Sequence, residues 1–331
     1  MLNAALVGLG WWGRNILKTL QGNAKLRVGA IVDPDPKAGE IARQAGVTFA
    51  SDLGAVLADP KIDAVILCTP HTLHTDQVIR AAEAGKHVFC EKPLAFKKRD
   101  AEASIAACRK RGRVLALGHE RRFEPALAEL QRLARSGTLG TLLQIDANFS
   151  HDKLANMAAG HWRVSSAEAP AGPLTGTGIH LLDLAISLLG PADYVLANAR
   201  QLGSALSNGD TFGALVVHKS GANSLINAML ATPFHGRFAI FGNRAWAEVR
   251  DLAHPETPKG WTLEIAEAGM APMRRDYGPA DATRANLEAF ADACAGLAPY
   301  PITEVEMIAT VAAFEAIVRS AERHEMVRVE E

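Results

Sequence analysis

The chain has 331 residues, which at roughly 150 residues per domain suggests two domains. Its composition, 48% hydrophobic and 21% charged, excludes a disordered chain, and its 28 Gly and 16 Pro follow no period, which excludes a fibrous repeat. Thirty-five basic against thirty-six acidic residues leave a formal charge of −1, so no uniform field draws nucleic acid or an anionic membrane.

The N-terminus opens directly into an apolar run, Leu2–Val7, without a basic leader or small-residue cleavage site. Further short runs at Leu26–Val32, Ala64–Leu67, His87–Cys90 and Val114–Leu117 are continuous and apolar, as in strands covered on both faces. Between them the periodicity predicts helices near 12–21, 36–45, 51–58, 72–84 and 97–111. This alternation implies a doubly wound parallel domain over 1–119. From residue 120 the pattern changes. A helix near 125–136 ends at Ser136-Gly137, and strands follow at 141–150, 194–201, 211–218, 222–231, 237–250 and 261–267. Turns such as Asn208-Gly209, Ser220-Gly221 and Gly242-Asn243 suit antiparallel pairing. One helix near 178–189 interrupts the strands, and two close the chain. In the first of these, Leu287, Phe290, Ala291, Cys294 and Leu297 repeat at helical spacing, a core-packing stripe. The second domain, 120–331, therefore reads as α+β. No apolar run reaches the roughly 18 residues needed to cross a bilayer. Cys68, Cys90, Cys108 and Cys294 have neither CxxC pairing nor regular spacing, which fits a reducing, cytoplasmic setting.

Gly8-Leu9-Gly10-Trp11-Trp12-Gly13 lies between the first strand and first helix. The first glycine permits the tight turn, the second lets a pyrophosphate approach, and the third lets helix and strand pack closely. Asp33 stands at the end of the second strand, where an acidic residue in a dinucleotide site holds the adenosine ribose. Its carboxylate favours NAD and repels the 2′-phosphate of NADP, and Pro34-Asp35-Pro36 offers no arginine to clamp one. Trp11 and Trp12 either pack the helix or, for Trp11, lie along the dinucleotide.

Glu91-Lys92-Pro93 follows the buried strand Val88–Cys90, at the sheet end where α/β proteins bind ligands. A lysine there can remove a hydroxyl proton while hydride leaves the same carbon. Read from position alone, a surface lysine capping a loop is an equal alternative.

The opening glycine motif, Thr69-Pro70 with His74, the run AGKHVFCEKP, Arg122-Phe123-Glu124-Pro125, Ser136–Gly140 and Gly178-Ile179-His180-Leu181-Leu182-Asp183 together resemble the glucose–fructose oxidoreductase/inositol dehydrogenase/MocA (Gfo/Idh/MocA) family. The resemblance implies a Rossmann domain followed by an open, mainly antiparallel sheet, whose exposed face makes a homodimer contact, often within a homotetramer. It also implies that Lys92 is the catalytic lysine and that His180 lies beside the reacting carbon. Thr69, Pro70 and His74 would then shape the wall near the nicotinamide ribose, and Glu91 would position the cofactor or the lysine. Thr177, beside His180 in this segment, joins the expected substrate contacts. Relatives working on sugars and inositols usually carry an aspartate four residues before this histidine, where this chain has Gly176. That departure puts an ordinary sugar in doubt. Asp183, one helical turn beyond His180, either orients its ring or fixes the packing.

His151 and Asp152 follow a strand, and His161, Trp162 and Arg163 occupy the long loop beyond it. These are candidate substrate contacts, with Arg163 as an anchor for an anion or hydroxyl. A metal site at His151, Asp152 and His161 has little support from their irregular spacing, so none is assigned. Basic residues between Lys97 and Arg122 fall mainly at helix ends, so no nucleic-acid or membrane partner is expected. The leading expectation is an NAD-dependent oxidoreductase, with NADP the less favoured cofactor. Its substrate is a secondary alcohol of a sugar, cyclic polyol or vicinal diol. The alternatives are a dihydrodiol dehydrogenase on a carboxylated ring and a dinucleotide-sensing protein without turnover.

Overall fold

Strands and helices alternate through the first 120 residues. The computed structural model describes residues 1–158 and 160–330. It contains β1 (Leu2–Val7), β2 (Leu26–Val32), β3 (Thr48–Ala50), β4 (Ala64–Leu67), β5 (His87–Cys90) and β6 (Leu115–Leu117), all parallel, in the order β3-β2-β1-β4-β5-β6. Helices α1 (Trp11–Thr19), α2 (Ala38–Ala45), α3 (Leu53–Leu57), α4 (His74–Glu83) and α5 (Lys98–Lys110) make the crossovers. β4 is buried along its whole length, as its unbroken Ala-Val-Ile-Leu sequence requires. The strand order reverses between β1 and β4, and the crevice outside such a switch point is where open α/β sheets take ligands. β3 lies at the sheet edge and is only three residues long, too short to carry a periodic signal.

The second sheet contains β7 (Leu142–Ser150), β8 (Ala192–Arg200), β9 (Thr211–His218), β10 (Asn223–Met229), β11 (His235–Gly242), β12 (Ala245–Asp251), β13 (Trp261–Glu267), β14 (Met273–Tyr277) and β15 (Val327–Arg328). Its order is β14-β13-β12-β11-β7-β10-β9-β8-β15, antiparallel except for the parallel pair β7–β10. The segment 237–250, read from the sequence as one strand with a turn inside it, is the hairpin β11–β12. Burial alternates strictly along β9 and β10, so one face is covered and the other stays open. Helices α6 (Pro125–Arg135) and α7 (Ile179–Leu189) pack on this sheet. Among the described residues, no helix is long and apolar enough to cross a membrane.

The chain forms two units, Met1–Glu120 with Asp281–Glu304, and Arg121–Ala280 with Val305–Glu331. The single boundary at 119/120 expected from the sequence therefore needs a correction. Helix α8 (Ala282–Cys294) completes the core of the first unit rather than that of the second. Its Leu287, Phe290 and Ala291 join Leu6, Ile31 and Phe89 in one cluster, with the Phe89 and Phe290 rings edge to face at 5.8 Å. Beyond it, the Tyr300 hydroxyl donates to the Leu117 carbonyl at 2.9 Å. Leu297, assigned from the sequence to the packed stripe, lies past the helix end and is 75% exposed. The last helix, α9 (Glu304–Arg323), belongs to the second unit after its first residue.

Replacing Phe290 by Ala removes an aromatic side chain from the first unit's core. We expect it to cost ~3–5 kcal/mol, read from urea unfolding followed by a probe in that unit. A loss under ~1 kcal/mol would contradict this account of α8.

Candidate functional site

At the end of β1 three stretches of backbone approach so closely that side chains are excluded. Gly8 has φ +89°, and a Cβ there would sit 2.7 Å from the Cys68 carbonyl oxygen. A Cβ on Gly13 would collide with the Gly8 carbonyl. Gly10 differs, because nothing lies within 4 Å of its Cβ position. As the N-cap of α1 it brings no side chain over the helix amides, and the first turn contains no acidic residue. The positive end of the helix dipole is therefore presented for an anion. Asp33 is braced against the same turn. Its Oδ2 accepts from the Leu9 amide at 2.6 Å and its Oδ1 from the Asp35 amide at 2.8 Å. A carboxylate has about four lone-pair positions, so capacity for ribose hydroxyls remains. Trp12 packs against the core, whereas Trp11 stands 49% exposed at the start of α1. This set fits a dinucleotide: a gap for the pyrophosphate at Gly10 and a fixed acceptor at Asp33.

Beyond β4, the Thr69 hydroxyl donates to Gln77 at 2.6 Å. His74 is fully buried, with Nδ1 2.7 Å from the Pro93 carbonyl and Nε2 3.2 Å from that of Thr69. It ties the Thr69-Pro70 loop to the Lys92-Pro93 turn, which is a strut's role. Glu91 is buried at the end of β5, and Lys92 beside it is half-buried. Burial first, and then the charge of Glu120, push Glu91 up to about 8, against the opposing pull of the Trp12 indole N–H and of Lys92.

In the second unit, a π-helical turn at Leu174–Gly178 runs into α7 and delivers His180 at its start, buried. The Thr177 hydroxyl donates to the Pro173 carbonyl at 3.1 Å, a local helix bond that keeps this side chain in the turn. A Cβ on Gly176 would meet only Leu230 methyls, at 3.8 and 3.9 Å, so the position has room for a side chain. Asp183, a candidate substrate contact, is 1% exposed and accepts from Arg122, at 2.6 Å from Nε and 2.7 Å from Nη2. Arg122 also reaches Glu306 at 2.9 Å. Burial disfavours the guanidinium charge, yet these two carboxylates hold Arg122 well above its ordinary range. This pairing fixes Asp183 within the second unit. It seats α7, and thereby His180.

Phe149, near the end of β7, gathers the polar side chains of this unit. Its ring centroid lies 6.0 Å from His151, 6.3 Å from His180 and 6.0 Å from His254, and the Arg121 guanidinium stands 4.6 Å over its face. Arg121 is itself buried and paired with Asp251 at 2.8 Å. His254 escapes sequence reasoning, because it lies a hundred residues from His151 and belongs to no motif. Its ring is 5.0 Å from that of His151. Nδ1 accepts from the Lys153 ammonium at 3.0 Å and from the Glu256 amide at 3.2 Å. Burial, followed by the charges of Lys153, His151 and Arg121, pushes His254 down to about 3, so it is neutral in ordinary solution. Asp152 is exposed, and His161, Trp162 and Arg163 are half-buried in the following loop. There Arg163 lies 4.1 Å over the Trp162 ring, and His161 stacks on that ring at 5.8 Å. Among the described residues, no three potential metal ligands come together.

Residues 2–119 match the model of an oxidoreductase family with an NAD-binding Rossmann fold, and residues 127–248 match the Gfo/Idh/MocA C-terminal domain. The chain belongs to the Gfo/Idh/MocA family. Within it, scyllo-inositol 2-dehydrogenase (NAD(+)) of Bacillus subtilis is 31% identical over 80% of this chain and 79% of its own length. D-apiose dehydrogenase of Paraburkholderia graminis is 29% identical over 69% of this chain and 60% of its own length. The first curated relatives are matched over only 38% to 62% of their length. In three dimensions, aldose-aldose oxidoreductase from Caulobacter crescentus superposes with a TM-score of 0.85 at 27% identity, covering 99% of each chain.

The depressed His254 has a consequence for stability. Between pH 6.5 and about 3 the unfolded chain binds a proton that the native state refuses, so stability falls as pH drops through that window. We expect His254→Asn to have a shallower loss of unfolding free energy in this range, measured by urea titration at several pH values. An unchanged slope would contradict the burial account.

Proposed function

We propose that this protein is an NAD-dependent dehydrogenase that moves hydride between the nicotinamide and a secondary alcohol or ketone of a sugar, cyclic polyol or vicinal diol. The observation that carries the reading is the glycine cradle of residues 8–13 with Asp33 braced onto it, in the unit where Lys92 stands two residues beyond the end of β5. The bound nicotinamide supplies the hydride acceptor. Gly8, Gly10 and Gly13 admit the pyrophosphate, and Asp33 accepts the adenosine ribose hydroxyls. Asp33 and Asp35 repel a 2′-phosphate, which favours NAD over NADP.

Lys92 is the general acid/base. Its uncharged amine removes the hydroxyl proton as hydride leaves the carbon, and its ammonium returns that proton in reduction. His180 binds the reacting hydroxyl or shares its proton. Names of relatives support the substrate class, since they act on an inositol, apiose or an aldose. Gly176 narrows it, because the chain lacks a carboxylate that sugar-oxidising relatives usually carry. A carboxylated cyclic diol is the second substrate reading. The Arg163 guanidinium over Trp162 favours it, being suited to a carboxylate. The open face of the second sheet carries a row of Leu196, Leu215 and Leu225 in register, apolar surface suited to a homodimer or homotetramer. Four free cysteines suit a reducing, cytoplasmic setting.

Lys92→Ala should keep NAD binding, read by tryptophan quenching, while kcat on an active polyol or diol falls by about 10²–10⁴-fold. Near-normal turnover would refute the assignment. Asp33→Ala should weaken NAD binding by about tenfold, corresponding to loss of ~1.4 kcal/mol, and narrow the preference for NAD over NADP. Equal Kd values for NAD in the two proteins would remove Asp33 from the site.

A further inference from the structure

Two loops of the second unit bring a pair of histidines together and fix the proton on each ring. His151 follows β7, and its amide donates to the Met229 carbonyl at the end of β10 at 2.9 Å. His254 lies in the connection between β12 and β13, with its ring centroid 5.0 Å from that of His151. Each ring accepts from a backbone amide two residues ahead. The Lys153 amide donates to His151 Nδ1 and the Glu256 amide to His254 Nδ1, both at 3.2 Å. The Lys153 ammonium is a second donor to His254 Nδ1 at 3.0 Å, and is itself held by Glu256 at 2.7 Å. A backbone N–H can only donate, so Nδ1 carries no proton in either ring and the ring proton sits on Nε2. Burial and cationic surroundings keep His254 neutral, which leaves it a hydrogen-bond donor at Nε2 and nothing else. That Nε2 is sealed from water and, among the described residues, has no hydrogen-bond partner. The side chain as a whole is 12% exposed, so part of the ring reaches the surface.

A donor buried without an acceptor costs stability that an arriving acceptor restores. The surroundings select that acceptor. The Phe149 and Phe234 rings stand 6.0 and 5.7 Å from the His254 ring and form apolar walls. The carboxylates of the cluster are engaged, Glu256 with Lys153, and Asp251 with Arg121 and the Trp261 indole. A substrate hydroxyl would bring a proton that needs an acceptor of its own. A carboxylate brings only lone pairs, and the charges of Lys153 and Arg121 favour it. We propose that His254 Nε2–H binds a carboxylate oxygen of the substrate, which makes His254 a specificity-determining residue. Phe149 borders His180 as well, at 6.3 Å, so the carboxylate contact and the histidine assigned to the reacting hydroxyl share one side chain as neighbour. The inference rests on the dehydrogenase reading and selects the carboxylated member of its two substrate classes. His254 moves no proton in the reaction.

The test has two arms. In cofactor-free protein with nitrogen-labelled histidine, NMR at pH 7 should show His254 protonated on Nε2 and bare on Nδ1. Added cyclohexanecarboxylate should shift the Nε2 resonance saturably, and cyclohexylmethanol at the same concentration should leave it in place. In protein with NAD and an active polyol or diol, cyclohexanecarboxylate should compete with that substrate. His254→Leu should then raise the inhibition constant by about tenfold or more. A His254 proton on Nδ1, an Nε2 resonance unmoved by the carboxylate or moved equally by the alcohol, or an unchanged inhibition constant in His254→Leu would overturn the proposal. Failure of the dehydrogenase reading is distinguishable, since the NMR arm needs neither cofactor nor turnover.

Discussion

The first unit is organised by one steric constraint: the carbonyls of Gly8 and Cys68 occupy the space that side chains at residues 13 and 8 would need. With those side chains absent, α1 begins close against β1 and directs its amide end at the sheet's switch point. The bond from the Leu9 amide to Asp33 then fixes β2's carboxylate to the same turn. A larger residue at either glycine would part helix from strand and disturb the brace as well as the anion position. Both halves of the proposed dinucleotide site therefore depend on the same few ångströms of backbone.

In the second unit the order of causes is different, because side chains rather than backbone set the geometry. The pairing of Arg122 with Asp183 and Glu306 anchors the helix that carries His180. Phe149 provides an apolar surface around which the histidines and Arg121 are arranged. Buried ion pairs are poor sources of net stability, but removing one partner strands the other. Their value here is positional. His254 is held neutral by burial first and then by its cationic surroundings, and its Nδ1 is already committed to Lys153 and Glu256.

What the sequence revealed follows from the range of the interactions involved. β1, β4 and β5 are continuous apolar runs, and the glycine turn is a local steric requirement, so each is written in adjacent residues. β14 is polar, exposed and at a sheet edge, and β15 is two residues long, so neither leaves a pattern. The stripe on α8 reveals a buried face but not which core buries it; Phe89, about two hundred positions earlier, answers that. The pairing of Asp183 with Arg122 is illegible in a linear reading, because the two lie 61 residues apart. Likewise, no spacing rule connects His254 with His151.

The return of α8 to the first core has a bearing on synthesis. Domains usually fold as units while the chain emerges from the ribosome, N-terminal part first. Here the leading domain lacks Leu287, Phe290 and Ala291 until translation has passed through the whole β7–β14 sheet. The nascent nucleotide-binding half must wait with an open apolar groove, and premature termination before residue 281 would leave that groove permanently bare.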